Sequence, residues 1–228
     1  NITKKEDFKK FNSFNFHYVI NLGGYVDHKN KKKTFNSHFY GAKNLSKFFL
    51  KKKIKSFVQM GSSAEYGSLK SPHRESRLCK PSAESAYSKA KYLATKYLLS
   101  LYKKKKFPCT ILRLYQAYGP RQDINRFIPI LITHCIKNKK FPTSHGRQYR
   151  DFIYISDLIK VIYKCLRSKK AKGHIINVGS GKPINLKEIT LKVMNICKGG
   201  KPEFGKINLR KDENLMIYPN INKLKNIL

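Results

Sequence analysis

Short apolar runs alternate with longer amphipathic stretches along this chain, and nothing else in it narrows the possible folds as far. Residues 17–22, 57–60, 109–114, 148–155 and 175–178 read as strands. Residues 39–52, 84–104, 127–138 and 157–168 read as helices, the third with Pro129 in its first turn, where proline is tolerated. Asn185-Leu186-Lys187-Glu188 resembles a capping box opening a further helix to Cys197. A strand that rejoins its sheet in the same direction needs a crossover, and a helix supplies one while covering the sheet face. The pattern predicts an α/β fold on a parallel sheet. Residues 202–228 show short apolar runs without a clear period.

Two short stretches carry the chemistry: Gly61-Ser62-Ser63-Ala64-Glu65-Tyr66-Gly67, and Tyr87-Ser88-Lys89-Ala90-Lys91. Chemistry at a carbinol or carbonyl carbon needs a group that moves a hydroxyl proton while hydride leaves or joins the same carbon. Tyrosine, with an ordinary pKa of about 10, is a poor base near neutrality, and a nearby ammonium favours the phenolate. The i, i+4 spacing of Tyr87 and Lys91 puts both on one helix face. That spacing alone says little, because it also occurs at Tyr25, Tyr66, Tyr92 and Tyr102. The setting distinguishes Tyr87: Gly61-Ser62 ends an apolar strand, where open α/β sheets place ligands, and Tyr87 opens the next helix.

Further blocks occur in a telling order. They are His17-Tyr18-Val19-Ile20-Asn21-Leu22-Gly23-Gly24, Gly41-Ala42-Lys43-Asn44-Leu45, Leu112-Arg113-Leu114-Tyr115-Gln116-Ala117-Tyr118-Gly119-Pro120-Arg121, Arg150-Asp151-Phe152-Ile153-Tyr154, and Asn177-Val178-Gly179-Ser180-Gly181. With the two chemical stretches, they resemble the extended short-chain dehydrogenase/reductases, and within them the NAD-dependent epimerase/dehydratases of nucleotide sugars. The resemblance implies a Rossmann-like, doubly wound parallel sheet lacking its first strands, in residues 1–120, with 151–182 returning to it. Residues 121–150 and 183–228 would form a smaller substrate-binding lobe. It further implies NAD or NADP as cofactor, a nucleotide-diphosphate sugar as substrate, a homodimer, and a cytoplasmic enzyme of nucleotide-sugar and polysaccharide metabolism.

Roles follow from the resemblance residue by residue. Ser62 would orient the sugar oxygen, Tyr87 would move its proton, and Lys91 would hold the nicotinamide ribose. Gly23 and Gly24 would lie over the cofactor. Ser63, Gln116, Asn125, Arg126 and Arg150 would contact the sugar nucleotide, the arginine fork of Arg150 suiting a diphosphate. The expected activity is epimerisation or keto-reduction. Alternatives are a 4,6-dehydratase and a non-catalytic, dinucleotide-sensing protein of the same fold. Dehydratases of the family carry an acidic residue where Ala64 stands; Glu65 lies one position later, which on an extended backbone points it to the other side. His38 and Gln116 stand where the family usually has Asn, and His145 where Asp is common. His38 reads slightly better as a packed helix residue than as a site residue.

The net charge of +36 would fit a nucleic-acid binder, but the lysines are spread along the chain, in runs such as 31–33, 51–53 and 103–106. At helix ends and turns such runs are solvated and complement the helix dipole. Nucleic acid and membrane are therefore not expected as partners, and no run approaches the ~18 apolar residues of a span. The five cysteines are far apart and make no metal-type spacing, as in a reduced protein. No Gly-x-x-Gly-x-x-Gly turn joins a strand to a helix, and Gly179-Ser180-Gly181 reads better as a late turn than as a phosphate cradle. The chain reads as a fragment of a longer enzyme, starting at the family's fourth strand.

Overall fold

The computed structural model describes residues 1–209 and 213–228. Four strands, β1 (Tyr18–Asn21), β2 (Ser56–Ser62), β3 (Cys109–Leu114) and β7 (Ile175–Val178), form an all-parallel sheet in the order β1-β2-β3-β7. Consecutive residues of a strand face opposite sides, and on the central strands both sides are buried. Phe57 and Ile111 enter one core with Phe49 and Leu98, from α2 (Gly41–Leu50) and α3 (Ala86–Lys105). Val58 and Leu112 enter the other with Leu158 and Ile162, from α5 (Ile155–Arg167). This is the parallel sheet with helices on both faces that the alternation predicts. β1 is an edge strand, and Tyr18 and Ile20 on one of its faces are exposed.

A second sheet stands at the carboxyl end of the first. It joins β4 (Gln116–Tyr118), β6 (Tyr149–Tyr154) and β10 (Met216–Ile217) in parallel, with β8 (Pro183–Asn185) antiparallel to β6. β5 (Lys140–Thr143) pairs in parallel with β9 (Lys201–Phe204), beside α4 (Phe127–Ile136) and α6 (Leu186–Cys197). The chain ends on α7 (Asn222–Ile227). β6 is the strand read at residues 148–155; the other short strands lie in segments not read as strands.

Three local expectations change. The helix expected from 39 begins at α1 (Lys31–Phe35), capped by the Asn30 side chain, and passes through a π turn at Asn36–Tyr40 into α2. Lys31–Lys33 therefore occupy a first turn, where the helix dipole opposes positive charge; the runs at the ends of α2 and α3 complement it. Asn185 does cap α6, accepting from Lys187 N–H and Glu188 N–H, but Glu188 turns outward to Lys192 at 2.7 Å. All five cysteines are free thiols, and Cys79, Cys109, Cys135 and Cys165 are buried.

Ile176 lies wholly buried on β7 among Val58, Leu112 and Ile162. Ile176→Ala should lower the unfolding free energy by about 2–5 kcal/mol through lost burial and an unfilled cavity. Urea unfolding should show a lower midpoint with unchanged slope; an unmoved midpoint would mean that this core collapses around the gap.

Candidate active site

β2 ends at Ser62, and the chain at once tightens into a single 3₁₀ turn, Ser63–Tyr66. Ser62 caps it: its hydroxyl accepts from Ala64 N–H at 3.2 Å, while Glu65 Oε1 accepts from Ser62 N–H at 3.0 Å. Glu65 does face away from the cavity, but by a helical reach back to its cap and not by strand alternation. It is wholly buried, and its Oε2 receives Arg113 Nε at 2.9 Å. A Cβ at Gly61 would stand 2.7 Å from Glu65 Oε1, so glycine there makes room for the carboxylate. Arg113 lies across from Gly61 on β3 and stacks on Tyr66, 4.6 Å from guanidinium carbon to ring centre. Tyr66 donates to Asn177 Oδ1 on β7 at 2.8 Å, and Asn177 donates to the carbonyl of His73 and to Glu75. His73 Nε2–H donates to Leu69 carbonyl, which leaves Nδ1 to accept from the Tyr115 hydroxyl at 2.8 Å.

On this base sits a polar cavity of about 790 Å³, between the carboxyl ends of β1–β3 and the second sheet. Ser62, Ser63, Tyr87, Lys91, Gly24, Gln116, Arg126 and Arg150 all line it. The sequence is folded to that end locally: Ser85 caps α3 by accepting from Ser88 N–H, which sets Tyr87 and Lys91 in the first turns facing Ser62. Lys91 is buried, and its Nζ donates to Met60 carbonyl at 2.7 Å and lies 5.7 Å from the Tyr87 ring centre. Burial pulls the Lys91 ammonium down to about 8, partly offset by the Glu65 charge.

The Tyr87 phenol is shifted the other way from the sequence expectation. Burial pushes it above the ordinary value, the Ser62 hydrogen bond pulls it back, Glu65 adds to the rise and Arg126 opposes it. The resting site therefore holds a protonated phenol beside a serine hydroxyl. Two imidazoles pack on its ring: His28 stacked at 4.2 Å and His38 edge-on at 4.9 Å. At the far end Arg150, itself buried, donates to the carbonyls of Tyr149 and Leu215 and pairs with Glu213.

Two expected residues lie elsewhere. Asn125 is turned outward, its side chain and N–H both bonded to Asp123, because the turn before α4 closes on that carboxylate. Gly23 is exposed and does not line the cavity, its N–H held by Asn21 Oδ1 at 3.1 Å. His38 is buried, as a packed residue would be, yet also borders the cavity; the His145 ring lies instead against Gly205. Gly179-Ser180-Gly181 is a structural turn: Ser180 N–H and hydroxyl both donate to the buried Asp151. Sequence reasoning missed His28, His73, Tyr115 and Glu213 at the cavity. His28 follows the strand-end glycines and offered a signal; Glu213 lies in a stretch without period and offered none. A groove of about 820 Å³ between α4 and α6 is slightly larger but chiefly apolar, and convergent polar groups mark the first cavity as the site. Among the described residues no cluster of His, Cys, Asp and Glu could hold a metal, and no helix is long and apolar enough to cross a membrane.

A parallel α/β sheet carrying Ser, Tyr and Lys at the carboxyl end of its strands belongs to a recognisable class of protein. The chain is a member of the NAD dependent epimerase/dehydratase family, whose model matches residues 1–179. It is 33% identical over 111 residues to a CDP-abequose synthase of Salmonella muenchen, covering 48% of this chain and 38% of that protein. It is 29% identical over 196 residues to a dTDP-D-glucose 4,6-dehydratase of Dictyostelium discoideum, covering 78% and 44%. The chain thus spans less than half the length of these relatives. In fold it resembles a UDP-glucose 4-epimerase of Thermotoga maritima solved with UDP-glucose, at a TM-score of 0.90 and 20% identity, over 99% of this chain and 75% of that one.

Two outcomes test the electrostatics. Arg113→Met leaves the Glu65 carboxylate buried without its cation and should destabilise by about 3–5 kcal/mol; Arg113→Met with Glu65→Gln should recover part of that loss, as calorimetric melting would show. For Lys91, the folded pKa near 8 lies below the usual 10.5, so between these values the unfolded chain binds more protons and stability from this site rises with pH. The stability difference between wild type and Lys91→Met should therefore move in favour of wild type from about pH 8 upward; a difference flat with pH would place the ammonium in water.

Proposed function

We propose that this chain carries the catalytic part of an enzyme that epimerises or keto-reduces a nucleotide-diphosphate sugar with NAD or NADP. The observation that carries the reading is the convergence of Ser62, Tyr87 and Lys91 on one wall of a cavity with Arg126 and Arg150 further along it. The residues suit a dinucleotide's nicotinamide ribose: Met60 carbonyl takes one of the three Lys91 N–H groups, and two remain for ribose hydroxyls. When bound, the dinucleotide would supply or accept the hydride. Everything else falls to the chain. Ser62 would donate to the sugar oxygen, Tyr87 would give or take its proton, and the Lys91 charge would steady the phenolate that results. Because burial keeps Tyr87 protonated at rest, the phenol is set to donate to a carbonyl oxygen. The two arginines would take the diphosphate, for which planar guanidinium forks are suited.

Reduction or epimerisation at one carbon is favoured over dehydration by what surrounds Ser62. Elimination of water needs a second acid–base group away from the hydride carbon. The wall beside Ser62 offers Ala64, and Glu65 is committed to Ser62 N–H and Arg113. Among the described cavity residues the carboxylate is Glu213, which pairs with Arg150.

Protein expressed from its complete gene should, with UDP-, GDP-, CDP- or dTDP-hexoses, yield an epimer or reduce a supplied keto-sugar, without building up a 4-keto-6-deoxy product. Steady accumulation of that product by mass spectrometry would overturn the assignment against dehydration. Tyr87→Phe should cut turnover by about 10²–10⁴ with sugar-nucleotide affinity nearly intact; wild-type turnover in that variant would remove Tyr87 from the chemistry.

A further inference from the structure

Lysine runs that lie far apart in the sequence are brought together by the fold. In a parallel sheet every helix returns the chain to the amino end of the next strand, so the helix ends and the turns after them share one face. Here α2, α3 and α5 lead into β2, β3 and β7 through residues 51–55, 106–108 and 168–174, and residues 12–17 lead into β1. Backbone bonds tie these connections into a row. Lys55 N–H donates to His17 carbonyl at 2.7 Å, Phe57 N–H to Pro108 carbonyl at 2.9 Å, and Gly173 N–H to Cys109 carbonyl at 2.7 Å.

The row is almost purely cationic. Lysines of the runs 51–55, 103–106 and 164–172 are exposed apart from Lys52 and Lys172, which are half-buried. Residues 9–17, 47–55, 102–108 and 164–174 contain no Asp or Glu. Of the acids just before them, Asp7 is taken by the Asn1 amino group at 2.6 Å. No ion pair among the described residues engages a lysine of this face. Amid these charges Phe14 is 56% and Phe11 39% exposed, their ring centres 6.2 Å apart. Lys10 Nζ lies 5.2 Å from the Phe11 ring centre, and Lys52 Nζ donates to the carbonyls of Asn12 and Phe14.

We propose that this face docks the protein on an anionic lipid surface. Its breadth favours a plane of headgroups over a strand of nucleic acid. Four strands span about 15 Å, and the helix layers on both sides widen the patch to about 30 Å. A nucleic-acid backbone presents a line of phosphates, whereas a bilayer presents an area. Apart from Arg167 the cations are lysines, point charges suited to a diffuse surface potential and without the guanidinium fork that reads base edges. Phenylalanines bordered by ammonium groups suit the headgroup boundary. The cavity opens at the other end of the same strands, about 20 Å away along β2, so a docked protein keeps its site open to solution.

The test is sedimentation of protein from the complete gene with vesicles of phosphatidylcholine alone or mixed with phosphatidylglycerol. Wild type should pellet with the mixed vesicles only, and less as salt rises. Lys103→Gln, Lys104→Gln and Lys105→Gln together should weaken binding about a hundredfold, the scale of three basic residues at an anionic surface. Lys31→Gln, Lys32→Gln and Lys33→Gln remove the same charge from the start of α1, at the cavity end, and should leave binding near that of wild type. Phe14→Ser should weaken it about tenfold through lost apolar burial. Thermal melts confirm that each variant folds. Absence of wild type from the mixed vesicles overturns the proposal, and so do equal losses in the two triple variants, which would trace binding to net charge instead of this face. Release from the vesicles by mixed-sequence duplex DNA at equal phosphate concentration would make nucleic acid the partner and overturn it too.

Discussion

The ion pair between Glu65 and Arg113 is the constraint on which the site depends. Two charges with almost no exposure are held at 2.9 Å, and each is tied to a different strand of the sheet. Such a pair gains little over apolar packing, but neither partner can be left alone. That asymmetry gives geometry, not stability. Glu65 can reach Arg113 only if the chain turns immediately after Ser62, and the turn fixes the Ser62 hydroxyl at the cavity wall. Arg113 against Tyr66, and Tyr66 on Asn177, carry the same constraint to β7.

Around Tyr87, burial and charge compete, and burial wins. The sequence places a lysine one turn away, where an ammonium would favour the phenolate, yet the shift of the phenol is upward and that of the ammonium downward. Both follow from one cause: the cavity wall removes water from two groups that each lose solvation when charged. Lys91 also spends one N–H on Met60. A neutral phenol next to a serine hydroxyl supports the proposed role of Tyr87 as an acid toward a carbonyl oxygen. The far end differs in kind, since Arg150 already has the Glu213 carboxylate, which an anionic ligand would have to displace or share.

Much of this was legible in the sequence, for identifiable reasons. β3 and β7 were read to the residue because they are short buried parallel strands, chiefly apolar and bounded by turn residues. Ser62, Tyr87 and Lys91 were legible because a strand end and a helix start are local features, and their nearness follows from parallel topology alone. The start of α1 was not, because three lysines and a threonine give no apolar period before Phe35. Asn125 was misplaced by a local contact with Asp123 that outweighs its position beside the cavity.

The sequence by itself determined the class of fold, the family and the residues that can exchange a proton, since each depends on hydrophobic period, glycine placement and the spacing of a few side chains. Tertiary structure decided which of those groups are charged and what they face. Glu65 is held by a partner 48 residues away, Glu213 reaches Arg150 from 63 residues away, and the His38 ring on the π turn lies against Gly24. Burial, and with it proton affinity, is set by neighbours distant in the chain, and no local pattern of residues encodes it.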